Sequence, residues 1–224
     1  MLKLIAGLHQ FKTEIHANNP EFFDRLAQRQ TPDALFITCS DSRIDPNLLT
    51  QTKPGELFIV RNVGNIIPPH KECVGGEEAA IEFAIVALGI KDIIICGHSQ
   101  CGAMKGLLNT DVIREMPAVC AWLDNAQQTK QLVLSKYHQL DEKCKLEIAV
   151  QENVLVQLEH LRTYPSVAER LERSEISIHG WVYEIESGEV YIYESDHQQF
   201  LPLAYEEGHY HLNTSHISHC PTDL

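Results

Sequence analysis

Apolar residues recur along this chain with two periods, and the change from one to the other marks out the elements. Near the start, Leu4, Leu8, Phe11 and Ile15 fall on one stripe, which predicts a helix over 2–17. Asn19 followed by Pro20 reads as a cap and a first helical position, opening a second helix through about Gln28. The pattern then tightens. Ala34-Leu-Phe-Ile-Thr38, Leu57-Phe-Ile-Val60 and Asp92-Ile-Ile-Ile-Cys96 are short apolar runs rich in β-branched residues, and they read as buried strands.

Between these runs the chain is punctuated. Asp45-Pro46 starts a short helix. Gly64, Pro68 and Pro69 make 61–71 a loop. Gly75-Gly-Glu-Glu78 opens a helix ending near Gly89, and another helix begins at about Gly102. The paired glycines lack the Lys-Ser/Thr of a phosphate loop and read as a tight helix start.

From Glu115 to Arg173 the chain is mostly helical. Leu146, Ala149, Val150, Asn153, Val154, Gln157, Leu158 and Leu161 follow a 3.6 spacing. Ile176 to Glu194 reads as two strands joined at Ser187-Gly188. Strand, helix, strand alternation predicts an α/β fold: a mostly parallel central sheet flanked by helices, with an N-terminal helical arm and a C-terminal edge strand or hairpin. The expected organisation is one domain over 1–224. It has an arm at 1–30, an α/β core at 31–195, and a polar, loose tail at 196–224.

Composition narrows the field. At 224 residues the length fits one large domain. A net charge of −13, from 18 basic and 31 acidic residues, argues against a nucleic-acid or anionic-membrane partner. No apolar run reaches the roughly 18 residues of a membrane span, and Met1 to His9 lacks the features of a signal peptide, so a cytoplasmic protein is expected.

Seven cysteines are too few and too scattered for a disulfide framework. Cys73, Cys96, Cys120, Cys144 and Cys220 match no metal motif, and core packing or partial exposure is expected of each. In the tail, His209, His211, His216, His219 and Cys220 raise a second metal site as an alternative, but a polar tail with no fixed geometry is the reading preferred here.

The chemistry gathers where strands end. Thr38-Cys39-Ser40-Asp41-Ser42-Arg43 follows one predicted strand and Cys96-Gly97-His98-Ser99-Gln100-Cys101-Gly102 another. In a parallel sheet such carboxyl ends meet. Two thiolates and an imidazole suit zinc, and three protein ligands leave a fourth position open, the mark of a catalytic ion. Such an ion lowers the pKa of its water from 15.7 to about 7.

These motifs resemble the β-class carbonic anhydrases. The resemblance extends through Pro54-Gly-Glu-Leu-Phe58, Val60-Arg-Asn-Val-Gly-Asn65, Pro68-Pro69 and Glu78-Ala-Ala-Ile-Glu-Phe83, and covers roughly 1–195. Met104-Lys-Gly-Leu-Leu108, Tyr164-Pro165 and His179-Gly-Trp-Val-Tyr-Glu-Ile are most similar to the cyanobacterial carboxysomal branch. The resemblance implies one Zn²⁺ per chain on Cys39, His98 and Cys101, and reversible hydration of CO₂ to bicarbonate and a proton by a zinc-bound hydroxide.

By the same resemblance Asp41 orients the nucleophile and Arg43 clamps Asp41. Gln30, Phe58, Val63, Phe83 and Gly102 match the substrate pocket, with Phe83 standing where plant-type members carry Tyr. The resemblance also implies a homodimer or a multiple of dimers, arms that embrace the partner, a carboxysome scaffold protein as a further partner, and residence inside the carboxysome. Two other readings stay open at this point: a hydrolase of CS₂ or COS on the same fold, and a non-catalytic zinc-stabilised scaffold.

Overall fold

The computed structural model describes residues 1–70, 75–206 and 209–213. Its strands are β1 (Ala34–Cys39), β2 (Leu57–Asn62), β3 (Asp92–His98), β4 (Ser177–Tyr183), β5 (Val190–Glu194), β6 (Gln199–Glu206) and β7 (His209–Leu212). Its helices are α1 (Leu2–Gln10), continued by wider turns over Phe11–His16, then α2 (Pro20–Gln28), α3 (Pro46–Thr50), α4 (Gly76–Glu82), α5 (Gly102–Leu108), α6 (Pro117–Leu123), α7 (Gln127–Lys136), α8 (Glu142–Arg162) and α9 (Pro165–Glu172). One sheet runs in the order β2-β1-β3-β4-β5-β6-β7. The first four strands are parallel, and the pairings from β4 to β7 are antiparallel.

The order places the chemistry. The chain leaves β1 for β2 on one side and then returns to β3 on the other, so strand order reverses at β1. A crevice opens outside the carboxyl ends of the strands at such a reversal. Cys39 is the last residue of β1 and His98 the last of β3. Both strands therefore run one or two residues further than their apolar runs predict.

Strands β1 and β3 are buried on both faces, as parallel strands must be when layers cover each side. Leu35, Ile37, Ile93 and Ile95 pack toward α4 and α8, while Ala34, Phe36, Ile94 and Cys96 join Ile44, Leu49 and Trp181 on the other face. Each Leu or Ile buried this completely contributes about 1.5–3 kcal/mol. Burial also pushes the Cys96 thiol up to about 12.

Helix α8 lies close against β3 and β4 because both strands present a glycine to it. A Cβ on Gly97 would stand 3.0 Å from Val154, and one on Gly180 would stand 3.0 Å from Val154 and 3.1 Å from Leu158. The cap of α8 is Asp141, whose carboxylate accepts the Cys144 N–H at 2.8 Å. Its buried residues, among them Ile148 and Val156, extend beyond the single stripe read from the sequence, because α7 packs beside it as well as the sheet.

Three expectations change, and the arm stripe is found exposed. The α1 stripe does not cover the chain's own sheet: Leu4 and Leu8 are 68% and 70% exposed, and α1 buries none of its residues. Asn19 does not cap α2 with its side chain; its amide instead donates to the Ile15 carbonyl at 2.7 Å, closing the arm helix. The region read as a loose polar tail forms β6 and β7 through Leu212: Gln199 to Pro202 pair with β5, and Leu201 is buried there. His209 and His211 lie exposed on β7, and His216, His219 and Cys220 lie outside the described residues. Cys144 is disulfide-bonded; pairing depends on which elements the fold brings together, and sequence spacing does not carry that.

Candidate metal centre

Three elements converge on one point. Cys39 ends β1, His98 ends β3, and Cys101 immediately precedes α5. Their ligand atoms all lie within 4.8 Å of one another, and among the described residues this is the group of Cys, His and carboxylate side chains arranged to hold a metal ion. All three are buried.

The donor set fits zinc on two observations. His98 Nδ1 lies 2.9 Å from the Ser99 carbonyl, so that nitrogen carries the proton. Nε2 is then a bare lone pair, and it is buried with no hydrogen-bond partner. A buried, unpaired acceptor aimed at two cysteines is costly unless a cation takes it. The thiols supply the complementary charge. Cys39 is pulled down to about 4, chiefly because Cys101 donates to it, and the backbone N–H groups of Gly64 and Asp41 add to this against the opposing effect of burial. The same shared proton pushes Cys101 up. Thiolate is the form that binds metal.

The surrounding loop is fastened by two arginines. Arg61 donates to the carbonyls of Cys39 (3.1 Å), Asp41 (2.7 Å) and Ile44 (2.9 Å), which holds the turn after β1. Arg43 takes Asp41 in a fork, Nε to Oδ1 at 2.9 Å and Nη2 to Oδ2 at 2.7 Å, and also donates to the Gln100 carbonyl at 3.1 Å. That last bond ties the Asp41 turn to the loop between His98 and Cys101. The Arg43 fork keeps the Asp41 carboxyl well below the usual carboxylate range. Asp41 Oδ2 stands 3.8 Å from His98 Nε2, at the rim of the cluster and outside hydrogen-bond reach.

The remaining predicted residues are distributed unevenly. Phe58 is half-buried, with its ring centroid 6.0 Å from that of Phe83. Val63 and Phe83 are 40% and 48% exposed. Gly102 is exposed at the first position of α5, and Gln30 is exposed between α2 and β1. A single chain thus assembles the ligands and the Asp41–Arg43 pair but leaves the apolar wall open.

Comparison with known proteins agrees with this geometry. The carbonic anhydrase family model matches residues 34–190. The solved structure of the β-carbonic anhydrase CcaA superposes with a TM-score of 0.88 at 48% identity, covering 90% of this chain and 98% of that one. The chain belongs to the β-class carbonic anhydrases. A carbonic anhydrase from Synechococcus elongatus is 53% identical over 191 residues, 85% of this chain and 70% of the relative. One from Synechocystis is 48% identical over 202 residues, 90% and 74% of the two chains. A tetrameric β-carbonic anhydrase structure from Sordaria macrospora gives a TM-score of 0.77 at 28% identity, over 85% of this chain and 94% of that one.

As a β-carbonic anhydrase of the cyanobacterial type, the protein is a zinc enzyme that hydrates CO₂ reversibly to bicarbonate and a proton. No helix among its described residues is long and apolar enough to cross a membrane.

Sequence reading gave no role to Arg61 or Gly64. Both sit inside Val60-Arg-Asn-Val-Gly-Asn65, a segment quoted for the resemblance, yet a buried backbone bond to a ligand sulfur leaves no signature in residue type.

Proposed function

We propose that Asp41 and Arg43 carry the catalytic step on this chain, and that Gln30, Phe58, Val63, Phe83 and Gly102 form the substrate pocket. The observation that supports this is the position of Asp41, forked by Arg43 at the rim of the Cys39–His98–Cys101 cluster. Zinc held there supplies the Lewis acidity that makes water a nucleophile near neutral pH. The chain supplies the rest. Asp41 accepts a hydrogen bond from the attacking water and aligns its lone pair with the CO₂ carbon. Arg43 holds both carboxylate oxygens, so Asp41 does not become a fourth ligand.

Phe58, Val63 and Phe83 give CO₂ an apolar wall and exclude bulk water. The Gln30 amide and the Gly102 N–H donate to the substrate oxygens as charge moves onto them. Phe83 lacks a hydroxyl, so its contribution is contact alone.

The active unit is a homodimer or a multiple of dimers, in which a partner covers Val63 and Phe83 and receives the apolar arm. What supports this is the exposure of those residues and the tetrameric assembly named for the Sordaria macrospora proteins. The enzyme works in the cytoplasm, within a carboxysome and against a scaffold protein there, supporting carbon fixation. The support for this setting is the identity to the Synechocystis and Synechococcus relatives.

Stopped-flow CO₂ hydration by Asp41→Asn tests the catalytic reading. The variant should keep zinc and lose about 10–100-fold in kcat; an unchanged kcat at full zinc content would refute the role.

A further inference from the structure

The loop from Asn62 to Pro68 is held almost atom by atom by side chains. Trp122 Nε1 donates to the Val63 carbonyl at 2.7 Å, and Asn153 Nδ2 to the Gly64 carbonyl at 3.0 Å. The Ile67 N–H donates to Gln157 Oε1 at 2.7 Å, and His160 Nδ1 lies 2.8 Å from the Ile67 carbonyl. Asn153, Gln157 and His160 are spaced by four and three along α8 and so share one face. Asn153 and Gln157 are 1% and 0% exposed. Two buried amides in an otherwise apolar stripe need a reason, because an unmatched amide there costs about 1–3 kcal/mol.

Their orientation follows from the backbone. Ile67 N–H can only donate, so the Gln157 atom facing it is the oxygen. Gln157 Nε2 then faces Asn153 and donates to its Oδ1 at 3.1 Å. That leaves Asn153 Nδ2 for the Gly64 carbonyl. Gly64 itself lies in the left-handed region, φ +84, and a Cβ there would meet Ala103 Cβ at 2.9 Å, two residues past Cys101. Pressed on α5 from one side and held through its carbonyl from the other, Gly64 points its N–H at Cys39 Sγ, 3.3 Å away.

We infer that Asn153 is a positioning residue of the metal centre, acting from α8 through Gly64 on the Cys39 thiolate. An N–H aimed at a ligand sulfur withdraws charge that the sulfur would otherwise give the metal, and such outer partners tune affinity and acidity. The inference rests on Cys39 being a zinc ligand.

The test compares Asn153→Leu, which keeps the size and loses the donor, with Thr129→Val. Thr129 approaches the same amide at 3.5 Å from Oδ1 and has no bond to Gly64. Zinc affinity is read by competition with a chromophoric chelator, and the thiolate-to-cobalt absorption band is read in the cobalt-substituted proteins. Asn153→Leu should hold zinc about 10–100-fold less tightly and shift the band, while Thr129→Val should match the wild type in both. Wild-type affinity and band in Asn153→Leu would overturn the inference while leaving Cys39 a ligand. Absence of zinc from the wild-type protein would overturn the ligand assignment first. If Asn153→Leu does not fold, amide exchange in the zinc-loaded wild type decides: a slowly exchanging Gly64 N–H is expected, and one exchanging as fast as a solvent-exposed amide refutes the link.

Discussion

Arg43 and Asp41 are joined by two parallel bonds of 2.9 and 2.7 Å, and the same guanidinium reaches across to the Gln100 carbonyl. The pair locks the turn after β1 to the loop after β3, and in the proposed mechanism it also keeps the carboxylate off the metal position. An ammonium group can do neither in the same geometry, since it has no fork.

Arg43→Ala frees Asp41 to swing toward His98 and the thiolates. Zinc content should stay at the wild-type level and kcat should fall about 10–100-fold. Arg43→Lys should recover only part of the loss. Stopped-flow hydration with zinc measured in each sample checks this, and wild-type rates in Arg43→Ala would show the pair to be a loop fastener only.

Much of this centre is legible in the sequence. Cys39, His98 and Cys101 could be read because two apolar runs end beside them and a parallel sheet brings strand ends together. The exposed α1 stripe was legible as a stripe, but whether it covers its own sheet or something else is a tertiary fact. Strand β7 was missed because His209 and His211 give its short segment a polar look, and β6 because Pro202 interrupts its apolar run. Asn153 and Gln157 were visible only as irregular members of an apolar helix face, and their partners are loop carbonyls and N–H groups, which have no residue type to recognise.

Alkaline pH should expose the cost of burying Cys96. Burial raises its thiol from an ordinary value near 9 to about 12. The neutral form favours the folded state, so this contribution is complete below about pH 9 and is lost as pH rises toward 12. Cys96→Ala should flatten the fall of urea-unfolding stability over that interval. An unchanged slope would mean that the thiol has no part in it.

The contact of α8 with Gly180 leaves little room. Gly180→Ala places a methyl group 3.0 Å from Val154 and should cost about 1–3 kcal/mol through overpacking. Val154→Ala in the same chain should return part of that loss, a coupling that a double-mutant cycle of denaturation measurements resolves. Strict additivity would show that the two side chains do not compete for space.

Deletion of residues 1–17 removes the exposed stripe of Leu4, Leu8, Phe11 and Ile15. Light scattering should show a smaller assembly, and activity should fall with it. A shortened protein of unchanged mass per particle and unchanged rate would place the dimer contacts elsewhere.

The most direct test of the account is zinc content and CO₂ hydration measured together on the wild type and a Cys39→Ser, Cys101→Ser double variant. One zinc per chain and rapid hydration are expected in the wild type, with neither in the variant. Full zinc occupancy and wild-type hydration in the variant would contradict the assignment of the centre.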